Sequence, residues 1–178
     1  MKITTYLFLI LILVSCNKEA QNSLEKLQGS LIPTKISESN LIDPAPAPDP
    51  SVEIHQQFMI LINNHRESIG LKALIDDEGL NAIAEIHSQN MASGSVEFGH
   101  TGFSDRCREA RIVLGGGNLC GENVAMGQRS AKAVFDSWMN SPGHRANIEN
   151  SRYTHSGFGF EKNMDGRYYW THLFLEHY

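Results

Sequence analysis

A short segment near the end of the chain, Arg167–Leu175 (RYYWTHLFL), sets the strongest condition on the fold. Side chains of a strand alternate between its two faces, and here both faces are apolar: Trp170 and Phe174 on one, Tyr169, Leu173 and Leu175 on the other. A strand of this kind must be covered on both sides, so it belongs inside a sheet with helices above and below. Thr154–Phe160 reads as a second strand, joined to the first by an Asn163-Met164-Asp165-Gly166 turn. The expected fold is α+β: a three-layer α-β-α sandwich with a small, mainly antiparallel sheet between helices.

Helical spacing supplies the outer layers. Ser51 is placed to cap an amphipathic helix over Val52–Ser68, with Ile54, Phe58, Leu61, Ile62 and Ile69 in helical register and Gly70 beyond its end. A second helix is expected from Asp76 or Asp77 to Gly94, with Leu80, Ile83, Ala84, His87 and Met91 sharing a face. Ser95–Gly127 is rich in glycine and reads as loop. A third helix spans Ser130–Asn140, its apolar residues being Val134, Phe135, Trp138 and Met139. The stretch NSPGHRANI follows (Asn140–Ile148). There Ser141 can cap a short helix, with Pro142 and Gly143 in its first two positions and His144 in its first turn. The positive end of a helix disfavours a protonated imidazole, so His144 is expected to be neutral and able to bind a metal or accept a proton.

The N-terminus is expected to lie outside this fold. Lys2 precedes an apolar run, Tyr6–Val14, that is too short to span a bilayer and reads as a secretory signal. Leu13-Val14-Ser15-Cys16 resembles a bacterial lipobox, in which the cysteine is lipidated; the alternative is an ordinary signal with an incidental cysteine. The expected organisation is a signal peptide at 1–15, a lipid-anchored tether at 16–50 and a folded domain at 51–178. The tether carries LIDPAPAPDPS, whose prolines favour extended chain. Asn17 rather than Asp follows Cys16, which by resemblance to diderm lipoproteins places the protein at the outer membrane, on its periplasmic or surface face. The partners expected are therefore the membrane, through the lipid, and no nucleic acid. The formal net charge is −5 and there is no run of Lys or Arg. A monomer is expected.

Without Cys16, Cys107 and Cys120 remain. In an exported protein they read as one disulfide, closing a loop of roughly 14 residues. A Cys/His metal site is the other reading, and the absence of a CxxC spacing weighs against it.

Eight histidines is a high number for 178 residues. There is no HExxH, no GxSxG and no phosphate loop. Three segments combine instead: FGHTGFSDR with His100, CGENVAMG with Glu122, and NSPGHRANI with His144. With LINNHRESIGLKAL and AEIHSQNMASG upstream, they resemble the CAP superfamily, also called SCP-like, over Val52–Tyr178.

The resemblance implies an α-β-α sandwich with a central cleft. His100 and His144 match the family's two histidines and Glu122 the glutamate of its GEN motif, while a second family glutamate falls near Ser141. It also implies a divalent metal, Zn²⁺ by donor type, held by His100 and His144 with Glu122 orienting or deprotonating a bound water. With two protein nitrogens the metal should be weak and exchangeable. Ser141, His155 and His87 are candidate cleft-lining residues, although His87, on an apolar helix face, also reads as a buried structural histidine. His55, His65, His172 and His177 read as surface or packing residues. The leading functional expectation is a module binding a lipid, peptide or envelope polymer. The alternatives are a hydrolase of peptide or cell-envelope substrates, with Glu122 as its catalytic base, and a passive structural lipoprotein.

Overall fold

The computed structural model describes residues 50–178. The expected signal segment, Cys16 and the tether up to residue 49 lie outside the described residues.

The doubly apolar segment forms β4 (Tyr168–Leu175), an interior strand in a four-stranded sheet of order β1-β3-β4-β2. Here β1 is Ile75–Asp76, β2 is Cys120–Met126 and β3 is His155–Lys162. β4 runs antiparallel to both neighbours, and the short β1 pairs in parallel with the start of β3. Trp170, Leu173, Phe174 and Leu175 are all buried, as the two-faced pattern demands.

Helices cover both faces. On one lie α1 (Pro50–Ser68), α4 (Ala131–Met139) and α5 (Pro142–Ile148). Phe58, Ile62, Val134, Trp138 and Ile148 pack there against Phe158, Trp170 and Phe174. On the other face lie α2 (Glu78–Ser93) and α3 (Phe103–Val113), where Leu80, Ile83 and Ala110 meet Leu173 and Leu175. α2 begins at the Asp77 cap, whose carboxylate accepts the Leu80 N–H, and sits directly on β3. A side chain at Gly157 would run into the Leu80 backbone.

Two local readings change. Ser51 lies inside α1, which starts at Pro50, rather than ahead of it as a cap. Ser130 does cap α4, accepting the Ala133 N–H. The stretch read as loop, Ser95–Gly127, contains both α3 and β2. α3 buries only Cys107 and Ala110 and carries five charged residues between Asp105 and Arg111, so its apolar period is faint. β2 buries Glu122 and Asn123 among its interior positions, so it lacks the alternation of an ordinary strand. The Cys107–Cys120 disulfide joins these two elements, with a Cα–Cα distance of 5.9 Å. That removes the Cys/His metal reading for this pair.

Candidate functional site

β2 is the edge of the sheet beside β4, and Glu122 lies at its middle with a side chain only 1% exposed. A carboxylate so deeply buried needs compensation. Arg106, from α3, supplies it at two points: Nε donates to Oε2 at 2.6 Å and Nη2 to Oε1 at 2.8 Å. The guanidinium is fixed in turn by donating from Nη1 to the Thr101 carbonyl. Oε1 also lies 2.8 Å from His100 Nδ1. The carboxylate only accepts here, so Nδ1 carries a proton, and the tautomer this sets has its lone pair on Nε2. The His100 side chain is 51% exposed.

His144 approaches from the other side of β2. Its helix, α5, hangs on the strand by side-chain amides. Asn123 Nδ2 donates to the His144 carbonyl at 3.0 Å. Asn147 Nδ2 donates to Asn123 Oδ1 at 2.8 Å and to the Glu122 carbonyl at 3.3 Å. At Gly121 a side chain would overlap the Tyr153 hydroxyl, so the glycine of GEN lets this layer close. Arg66, buried on α1, donates to the carbonyls of Ile148, Asn150 and Tyr153 and holds the chain after α5.

The His144 ring is half-buried beside Trp138, at a centroid distance of 6.2 Å. Burial first, and the charge of His100 second, push its pKa below the usual histidine value. The shift runs toward the neutral imidazole that the sequence led one to expect, with burial as its leading cause. Ser141 takes the capping position with extended backbone, yet its hydroxyl accepts none of the N–H groups of α5. Its carbonyl accepts the Arg145 N–H instead.

His87, buried on α2, donates from Nε2 to the Gly99 carbonyl at 2.9 Å and so fixes the residue before His100. Burial lowers its pKa, and it feels the charges of Arg106, Glu122 and His100. His155 is elsewhere: it lies on β3, with β4 between it and β2, against Thr154 and His177. The fold thus assembles His100, Glu122 and His144 about the β2 edge, with His87 behind them, and leaves His155 apart. Arg106 is the partner that sequence reasoning missed, although it stands in the same FGHTGFSDR segment. Its position after Gly102, in the first turn of a charged helix, was the available signal.

Among the described residues no group of three His, Cys, Asp or Glu side chains is arranged to hold a metal ion. The donors the site offers are two imidazoles, since both oxygens of Glu122 are engaged. A cavity of about 370 Å³ opens elsewhere, lined by His55, Asp76, Glu85, Phe158 and Phe160 among others, and none of the three site residues borders it.

A family model described as the cysteine-rich secretory protein family (CAP) matches residues 59–174. The Bacillus subtilis (strain 168) protein YkwD is 32% identical over 169 residues, covering 89% of this chain and 62% of YkwD. An extracellular protein containing an SCP domain, from Bacillus anthracis str. Ames, has a solved structure with 29% identity and a TM-score of 0.60. The match covers 71% of this chain and 41% of that one. A cysteine-rich secretory protein (SAV1118) of Staphylococcus aureus Mu50 has a similar fold: the TM-score is 0.61 at 24% identity, over 74% of this chain and 40% of that one. The chain therefore spans less than two thirds of the length of each of these relatives.

Proposed function

The chain belongs to the cysteine-rich secretory protein (CAP) family, and from that premise we propose that it is an exported binding module whose cleft takes up a weakly held divalent cation, Zn²⁺ by donor type, through His100 and His144. The observation that carries this reading is the chain of contacts Arg106–Glu122–His100. A metal-binding histidine commonly donates its other ring N–H to a carboxylate, which sets the tautomer and aims the lone pair. Glu122 meets that description for His100, and its own oxygens are held by Arg106. His144 adds a neutral imidazole across the β2 edge.

Two imidazoles suit Zn²⁺ and leave coordination positions for water or an oxygen of a ligand. Once bound, the ion would supply Lewis-acid polarisation to such an oxygen. The protein's own work is to hold the two rings and the strand edge in place. A lipid, a peptide and an envelope polymer all carry suitable oxygens. The binding reading is preferred to hydrolysis because the Glu122 carboxylate accepts three hydrogen bonds and is nearly sealed from water. That arrangement suits a positioning residue and leaves little room for a base to reach water.

Export is supported by the disulfide and by the extracellular B. anthracis relative. Anchoring at Cys16 rests on the lipobox-like Leu13–Cys16, and the outer-membrane placement on Asn17. Mass spectrometry of the mature chain tests the anchor: acyl mass on Cys16 is expected, and an unmodified or uncleaved N-terminus refutes it. The metal reading is tested by Zn²⁺ titration of the full chain and its His100→Ala and His144→Ala variants. Equal uptake by all three would overturn it.

A further inference from the structure

We propose that His155 and His177 form a second divalent-metal site, of the kind two imidazoles offer to Zn²⁺, Ni²⁺ or Cu²⁺, where β3 begins and β4 ends. The two rings meet with centroids 5.2 Å apart. Two imidazoles bound to one tetrahedral ion, with metal–nitrogen distances of about 2.0–2.1 Å, would place their centroids roughly 5 Å apart. The separation is thus of the size that a shared ion requires, with the two ring planes 85° apart.

Hydrogen bonding sets the tautomer of the first ring. Thr154 Oγ1 lies 3.0 Å from the His177 carbonyl and 3.4 Å from the Leu175 carbonyl, and both of these can only accept. The single hydroxyl proton goes to them. The same oxygen accepts the His177 N–H at 2.9 Å. With the hydroxyl proton on the His177 carbonyl, its 2.9 Å contact with His155 Nδ1 is a bond donated by the ring. A neutral His155 is left with its lone pair on Nε2, and Thr154 plays the part here that Glu122 plays for His100. The ring nitrogens of His177 make no hydrogen bond among the described residues.

Electrostatics agree with this use. Burial and the neighbouring His177 lower the pKa of His155, which favours the neutral, ligating form. Asp77 places a negative charge within its reach, and that charge favours a cation. Among the described residues no third His, Cys, Asp or Glu completes a cluster, so water would fill the remaining positions and exchange should be fast. β4 separates this pair from Glu122, so the two sites can be tested independently.

The experiment uses the full chain, stripped of metal, with Cu²⁺ added in sub-stoichiometric steps while histidine ring signals are followed by NMR. His155 and His177 are expected to broaden together, and to do so in the His100→Ala/His144→Ala variant as well. His155→Gln should remove the response of His177. Thr154→Val, which frees the tautomer, should weaken the site by about ten- to a hundred-fold. A His177 response that survives His155→Gln would overturn the proposal. So would silence of both rings in the His100→Ala/His144→Ala variant, or a response that needs millimolar Cu²⁺. Dichroism of each variant keeps loss of fold distinct from loss of metal.

Discussion

Arg106 holds the Glu122 carboxylate at two points, 2.6 Å and 2.8 Å, and the Glu122 side chain is only 1% exposed. The pair joins α3 to β2 beside the Cys107–Cys120 disulfide, and Oε1, which already accepts from Arg106, takes the His100 N–H as well. Structure and site thus depend on one ion pair, and its removal should be felt in both.

Arg106→Leu leaves a buried carboxylate without its cation. A loss of about 3–5 kcal/mol is expected in urea unfolding. Glu122→Leu added to it should recover most of that loss, because a pair replaced by apolar groups of similar volume is often near neutral. A single variant as stable as the parent would show that the pair does not compensate the buried charge.

Glu122→Gln keeps the shape but not the charge. Zn²⁺ affinity should fall by roughly ten- to a hundred-fold, as expected when the partner that orients a ligating histidine is weakened. Calorimetry checks it. Unchanged affinity would separate Glu122 from the metal altogether.

The Cys107–Cys120 bond closes a loop with a sequence separation of 13. Reduction should lower stability by about 3 kcal/mol on a chain-entropy reckoning. Thermal unfolding with and without reductant measures this. An unchanged midpoint would mean that α3 and β2 are held in register without the bond.

His172 supplies the pH dependence. It is fully buried among Phe58, Trp138, Phe158 and Phe174, and neither ring nitrogen has a hydrogen-bond partner. Burial pushes its pKa from 6.5 down to about 3. Between those values the unfolded chain binds a proton that the folded chain refuses, so stability rises with pH. It is fully present above about pH 6.5 and is lost as pH falls toward 3, by an amount on the order of 5 kcal/mol. His172→Phe should flatten that slope and be neutral or stabilising at pH 7, since no buried polar group is left unpaired. Equal slopes for parent and variant would assign the acid sensitivity to other groups.

Much of the sandwich could be read from the chain because its cause is local. The two apolar faces of Arg167–Leu175 demand an interior strand, and Asp77 and Ser130 are caps by their own side chains. α3 and β2 were hidden for a physical reason: their stabilising contacts are polar and distant in sequence. Arg106 finds Glu122, Asn123 finds His144, and Cys107 finds Cys120 only once the chain has folded. The three residues His100, Glu122 and His144 were legible as a set through motif resemblance, and Arg106 was not, because spacing alone does not reveal a salt bridge. His155 was drawn toward the cleft by its place beside glycine-rich β3, and the strand order puts β4 between it and Glu122.

The central claim is that His100 and His144 share a cation across the edge of β2. Zn²⁺ titration of the metal-free full chain, read by the ring signals of these two histidines, tests it most directly. Both signals should shift together with one saturation curve, and His144→Ala should abolish the His100 response while the fold is retained. Independent curves for the two rings, or a His100 response unchanged in His144→Ala, would contradict it.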